Sequence, residues 1–135
     1  MHSWLEPYAS TVFAMLATAT LLLVQVLVLD LAGIKAKHVP GTPVHADHGS
    51  FLFRAARAHA NTNESVAAFI LLAVVAMFTS ASPTWVNASA WAYVGGRLGH
   101  MLCYYADLRV ARSVAFALSL LALISLLLAA FAAVF

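Results

Sequence analysis

The sequence predicts an all-α integral membrane protein, folded as a single bundle of four transmembrane helices. Of its 135 residues, 64% are hydrophobic and only 9% are charged, whereas soluble domains are about 45–50% apolar and about 25% charged. A spanning helix needs roughly 20 apolar residues, so the chain has room for about four crossings in one domain, residues 1–135. We expect helices over residues 7–35, 50–81, 84–106 and 109–134.

The first helix is predicted by an uncharged run from Tyr8 to Leu29 that is rich in Leu, Val and Ala. No basic residue precedes this run, unlike the start of a secretory signal peptide, so we expect a retained membrane anchor. Three glycines and two prolines follow between residues 31 and 50. Because these residues interrupt regular structure, they predict the one substantial loop of the chain.

The second helix is predicted to be polar at its start and apolar toward its end at Ala81. Its first turns carry Arg54, Arg57, His59, Asn61, Asn63 and Glu64. Pro83 is a suitable first residue for the third helix, and the three glycines between residues 95 and 99 allow close contact with a neighbouring helix. The last helix carries no charge from Val114 to Phe135 and is long enough to cross fully.

Lysine and arginine gather at two of the three connections between helices. Lys35, Lys37, Arg54 and Arg57 flank the first connection, and Arg109 and Arg112 flank the third. The positive-inside rule places both connections in the cytoplasm and both chain termini outside, in an inner or cell membrane. The net charge of +2 is too small for the basic surface that binds nucleic acid, so we expect no nucleic-acid partner.

Two helices carry polar stripes at similar depth in the predicted membrane. Each stripe repeats at three- and four-residue steps, which places its members on one helix face. The members are Arg57, Asn61 and Glu64 on the second helix, and Arg97, His100 and Tyr104 on the third. Charged groups at this depth are costly and should face protein or a water-filled cavity, so the stripes predict a functional cavity.

Other interpretations of these residues stay open from the sequence. Arg97 and Glu64 are equally consistent with a buried ion pair that only fixes the register of two helices. Arg54 and the two lysines of the first connection favour contact with lipid headgroups. The loop histidines have no cysteine partners and no helical pair, so we expect no metal site. A proton path is disfavoured because the outer half of the bundle offers no ionisable group to complete it.

Two stretches carry a further signal. They are RAARAHANTNESVAAF on the second helix and GGRLGHMLCYYADLRVARSVAF across the third and fourth. Together they resemble the MAPEG family, the membrane-associated proteins in eicosanoid and glutathione metabolism. The resemblance implies a homotrimer with glutathione as cosubstrate, bound between neighbouring subunits at the cytoplasmic side. The residues that it implies for holding glutathione are Arg57, His59, Asn61, Glu64, His100 and Tyr104, with Arg112 and Ser113 as the catalytic pair at the sulfur.

The resemblance implies a membrane-bound glutathione transferase or peroxidase-like enzyme that acts on hydrophobic electrophiles or lipid hydroperoxides. A free thiol has a pKa of about 8.5, and only its anion is the nucleophile. Arg112 and the Ser113 hydroxyl, at a helix start, would favour that anion. The alternative is a noncatalytic lipid-binding scaffold of the same fold, since the family contains such members. Family enzymes commonly have a basic residue at the inner end of the first helix, where this sequence has residues 30–32, Asp-Leu-Ala.

Overall fold

The computed structural model describes residues 4–135 as a bundle of four long α-helices. Their bounds are Ala9–Lys35 for α1, Phe51–Phe78 for α2, Pro83–Tyr105 for α3 and Arg109–Val134 for α4, and one 3-10 turn, Glu6–Tyr8, precedes α1. No β-strand occurs between residues 4 and 135, so the predicted all-helical fold class is confirmed. The expectations for the N-terminal leader and its side of the membrane fall partly on residues 1–3, outside the described residues.

Within residues 4–135, three helical segments are long and apolar enough to cross a membrane, and they are Glu6–Lys35, Phe51–Phe78 and Arg109–Val134. The remaining helix, α3, has sufficient length, because its 23 residues extend about 35 Å at 1.5 Å per residue. It is less apolar, and its buried polar side chains, which include Arg97 and His100, lie among α1, α2 and α4. Polar residues in a membrane helix are tolerated where they face the bundle interior.

The first three long helices end in the same backbone motif. A residue with positive φ stands two positions after the last residue of each helix, and these residues are Lys37 (52°), Ser80 (57°) and Asp107 (55°). The next amide then donates to a carbonyl of the last turn at 2.8–3.0 Å. This pattern satisfies carbonyls that the helix itself leaves without partners. It ends α2 at Phe78, three residues before the end predicted at residue 81.

α3 and α4 approach each other closely at one glycine. A Cβ atom on Gly96 would lie 2.8 Å from both the Cβ and the backbone nitrogen of Ser119 on α4. Gly95 has no such neighbour within 4 Å, and a Cβ on Gly99 would make an ordinary 3.5 Å contact with Ala115. Of the three glycines predicted to allow close contact, Gly96 is therefore the one that the α3–α4 packing requires.

The interior of the bundle changes along its length. Near the short α2–α3 turn it is filled by apolar side chains, including Phe69 and Leu126. Tyr93 marks the boundary, since its ring stacks on Phe69 at 4.2 Å and its hydroxyl shares a 2.8 Å hydrogen bond with Ser65. Beyond Tyr93 lie the buried side chains of Arg97 and His100. We call this end the basic end; it holds the α1–α2 loop (residues 36–50) and the α3–α4 turn (residues 106–108).

Candidate functional site

The deepest charged group of the basic end is Arg97 on α3, which contacts Asn61 on α2. Arg97 is only 1% exposed, and its Nη1 donates to the backbone carbonyl of Asn61 at 3.2 Å and to the side-chain Oδ1 of the same residue. The rings of Tyr93 and Phe116 lie 5.5 and 5.4 Å from the guanidinium carbon. Two oxygens and two aromatic rings therefore compensate part of the hydration that this cation loses.

The hypothesis of a buried Arg97–Glu64 ion pair is wrong. Within residues 4–135, the only side chains at ion-pair distance are Arg109 and Asp107, 3.8 Å apart near the surface. Glu64 is exposed on the protomer, although it lies less than one turn from Asn61 on α2. The oxygens of Asn61 take the place beside Arg97 that the hypothesis gave to the carboxylate.

His100 and Tyr104 continue the stripe along α3 beyond Arg97. Both are buried, and their rings meet edge to face with centroids 4.9 Å apart. The Nδ1 of His100 is buried without a hydrogen-bond partner among the described residues. Because a buried polar atom without a partner costs free energy, Nδ1 is a position at which a ligand group or a water molecule can bind favourably.

Arg112 on α4 contacts this group of side chains. Its guanidinium carbon lies 4.7 Å from the centroid of the Tyr104 ring, which is a cation–π distance. Ser113 is exposed, and its hydroxyl donates to the carbonyl of Arg109 at 3.3 Å. Of the two residues predicted at the sulfur, Arg112 therefore joins the buried stripe, and Ser113 lies on the protomer surface.

Three other predicted residues lie on α2. Arg57 and Glu64 are exposed, and His59 is half-buried, with its Nε2 at 3.5 Å from the Nδ2 of Asn63. The predicted set thus contains residues that contact another helix and residues that are exposed. Asn61, His100, Tyr104 and Arg112 make contacts between helices, Arg57, Glu64 and Ser113 are exposed, and His59 is half-buried and belongs to neither group. One protomer alone encloses only part of the set.

His48, a residue that the sequence did not single out for the site, lies beside Arg112. Its Nδ1 is 3.4 Å from the Nη1 of Arg112, and its ring packs edge-on against Phe53. Arg54 was predicted to contact lipid headgroups, but its Nη1 donates to the carbonyls of His48 and Gly49. Spacing rules relate residues within one helix and give no signal for a loop residue that contacts a distant helix.

Gln25 is a second residue without an assigned role in the sequence. It is fully buried in α1, and its Nε2 donates to the Oγ1 of Thr62 on α2 at 3.1 Å. Its Oε1 has no hydrogen-bond partner among the described residues. The amide links α1 to α2 one residue away from Asn61, and such interhelical bonds fix helix register in membranes. The signal in the sequence was that Gln25 is a single amide residue within the largely apolar α1.

The described chain, residues 4–135, contains no group of three or more His, Cys, Asp or Glu side chains placed to hold a metal ion. Asp47 and His48 of the α1–α2 loop contact other groups of the protein. Asp47 accepts from the backbone nitrogen of Gly49 at 2.8 Å, and His48 contacts Arg112.

The fold and the site together define a class of protein. It is a membrane helical bundle with arginine, histidine and tyrosine side chains buried at one end. The chain belongs to the MAPEG family, whose family model matches residues 11–132, nearly the whole chain. This family includes glutathione transferases and related proteins as well as noncatalytic members. The comparison with curated proteins gives no match. Membership of this family and the apolar helices together show that the chain is an integral membrane protein.

Proposed function

We propose that the protein is a membrane-bound glutathione transferase with peroxidase-like capacity, which activates the glutathione thiolate for attack on hydrophobic electrophiles or lipid hydroperoxides. The observation that carries the proposal is the position of Arg112 in the first turn of α4, beside the Tyr104 ring. The guanidinium is permanently charged, and a helix start adds positive potential. A thiol that binds there has its pKa lowered, because a nearby positive charge favours the anion.

The charges on α2 suit the rest of the ligand. Glutathione carries two carboxylates and one ammonium group. Arginine pairs well with carboxylates, so Arg57 is proposed to bind one of them, and Glu64 is proposed to bind the ammonium group. The Nδ2 of Asn61 is a donor for a further oxygen of the peptide, since Oδ1 of the same amide already accepts from Arg97. His59, His100 and Tyr104 complete the proposed pocket.

The proposed chemistry needs little from the protein beyond a stabilised anion. The thiol proton passes to water, the sulfur bonds to the electrophilic carbon, and the leaving group departs with the bonding electrons. With a hydroperoxide, the sulfur takes one oxygen and an alcohol leaves, and a second glutathione then yields the disulfide and water. In both reactions Arg112 stabilises negative charge on the sulfur before the bond forms, with the exposed Ser113 hydroxyl as a proposed second donor.

Assembly as a homotrimer is part of the proposal, and the exposure of Arg57 and Glu64 supports it. Both charges lie on the protomer surface within α2, a helix apolar enough to span a membrane. A charge that faces lipid near the bilayer centre costs about 2.5–3.5 kcal/mol on insertion scales. A neighbouring copy packed on this face would cover both charges and would bring its own helices to the glutathione site. MAPEG members form trimers.

We place the basic end in the cytoplasm and both chain termini outside, in an inner or cell membrane. The lysine and arginine residues that flank the α1–α2 loop and the α3–α4 turn support this orientation through the positive-inside rule. Glutathione would then enter from the cytoplasm, and the hydrophobic substrate would enter from the membrane.

A noncatalytic lipid-binding scaffold is the second candidate function, and one feature favours it. An apolar groove of about 470 Å³ runs between α1 and α2, away from the basic end, and side chains such as Leu5, Met15 and Ile70 line it. A groove of this shape suits an acyl chain. The acidic residue Asp30 also favours the scaffold, because family enzymes commonly carry a basic residue in that part of the first helix.

Titration of glutathione into the detergent-solubilised protein separates the two functions. Calorimetry and the ultraviolet absorbance of the thiolate should show saturable binding and a thiolate band, and S-hexylglutathione should compete. Arg112→Ala should lose the band, because the cation that favours the anion is gone. Arg109→Ala is the matched control, since Arg109 is an exposed arginine on the same helix three residues earlier. Absence of binding at millimolar glutathione would reject the enzyme and favour the scaffold.

A further inference from the structure

We infer that His48 is a positioning residue for catalysis: through its Nδ1, the α1–α2 loop holds the guanidinium of Arg112 over the Tyr104 ring. The inference rests on the proposed function, because its purpose is to fix the cation that favours the thiolate. It adds a loop residue to a site whose other proposed members all lie on helices α2, α3 and α4.

The guanidinium of Arg112 is contacted from two directions. The Tyr104 ring lies 4.7 Å from its central carbon, and the Nδ1 of His48 lies 3.4 Å from its Nη1. A guanidinium has only donors, so in this contact Nδ1 is the unprotonated acceptor and the imidazole proton is on Nε2. At 3.4 Å the hydrogen bond is long and weak by itself. Together with the ring contact, it restricts the rotamers of a side chain that otherwise has much freedom.

The loop can restrain Arg112 because the backbone around His48 is itself anchored. Arg54 donates from Nη1 to the carbonyls of His48 and Gly49, and the Gly49 nitrogen donates to Oδ1 of Asp47 at 2.8 Å. The His48 ring also packs edge-on against Phe53, with centroids 5.0 Å apart. These contacts fix both the position of the loop and the orientation of the imidazole ring.

A restrained cation stabilises an anion better than a mobile one, because the charge does not have to be reoriented when the anion forms. Without the Nδ1 acceptor, Arg112 keeps its charge but samples rotamers away from Tyr104. We therefore expect loss of His48 to reduce thiolate formation in bound glutathione. Affinity for the peptide should change little, since Arg57, Asn61 and Glu64 are proposed to hold that part of the ligand.

Two substitutions separate the hydrogen bond from packing. His48→Leu keeps a side chain of moderate size and removes the acceptor, whereas His48→Asn places an amide oxygen close to the position of Nδ1. At saturating glutathione and neutral pH, His48→Leu should lower the thiolate fraction about three- to tenfold, with a Kd changed less than about twofold. His48→Asn should restore most of the band. The control is His45→Leu, because His45 is an exposed histidine of the same loop.

The readouts are the thiolate absorbance as a function of pH, the calorimetric Kd, the elution volume and the thermal midpoint of each variant. Equal loss of the band in both His48 variants, or no loss in either, would overturn the positioning role and leave the proposed function standing. A lowered thermal midpoint with weaker binding in both would assign His48 to folding and also overturn it. A wild-type protein that binds no glutathione would reject the proposed function itself, and the inference with it.

Discussion

Arg97 on α3 donates to both oxygens of Asn61 on α2, and this contact fixes which way the Asn61 amide points. Because Oδ1 accepts from the guanidinium, the amide nitrogen Nδ2 is turned away from Arg97 and is left to donate elsewhere. Arg97 is 1% exposed and is itself enclosed by the Tyr93 and Phe116 rings. Arg97 therefore orients Asn61, a residue of the proposed site, from the interior of the bundle.

Asn61→Leu should destabilise the protein by about 2–3 kcal/mol, because it removes an oxygen acceptor from a buried cation. Adding Arg97→Met should recover part of the loss, since an apolar pair needs no such acceptor. Unfolding in mixed micelles with increasing dodecyl sulfate measures both effects. A double variant no more stable than Asn61→Leu would show that the cation is satisfied by the Asn61 backbone carbonyl and the two rings alone.

Two adjacent glycines of α3 should respond in opposite ways to alanine. Gly96→Ala should lower stability by about 1–3 kcal/mol, because the new Cβ would lie 2.8 Å from the backbone nitrogen of Ser119 and would push α3 from α4. Gly95→Ala meets nothing within 4 Å and should stabilise the helix by about 0.5–1 kcal/mol through backbone entropy. Thermal midpoints in detergent test both. Equal effects at the two positions would contradict this description of the α3–α4 contact.

The four helices were predictable because each leaves a local pattern in the chain. An uncharged apolar run marks α1 and α4, and Pro83 marks the start of α3. The end of α2 was predicted at residue 81, three residues too late, because the motif that ends it uses Ser80 with positive φ. A glycine is the usual signal for this conformation, so a serine there gave none.

The candidate site was predictable only along single helices. Helical spacing put His100 and Tyr104 on one face of α3, and the structure places them against each other. Spacing does not tell which residue of a facing helix takes a charge, so Glu64 was considered for Arg97, although Asn61 is its partner. The contact of His48 with Arg112 spans 64 residues of sequence. Such a contact follows from the packing of the whole bundle and has no local signature.

Glu64→Gln tests the proposed role of the exposed Glu64 carboxylate on α2. Glu64 is exposed on the protomer and does not pair with Arg97, so neutralising it should leave the thermal midpoint of the protein nearly unchanged. In the proposed site its carboxylate binds the ammonium group of glutathione, and loss of that charge should weaken binding by about tenfold, equivalent to about 1.4 kcal/mol. Calorimetry against the matched control Glu6→Gln, the same substitution at an exposed glutamate before α1, separates the role of this carboxylate from a general change of surface charge. Unfolding of Glu64→Gln with no change in the Kd of the folded fraction would instead make Glu64 a structural residue, one that a neighbouring copy pairs in the assembled protein.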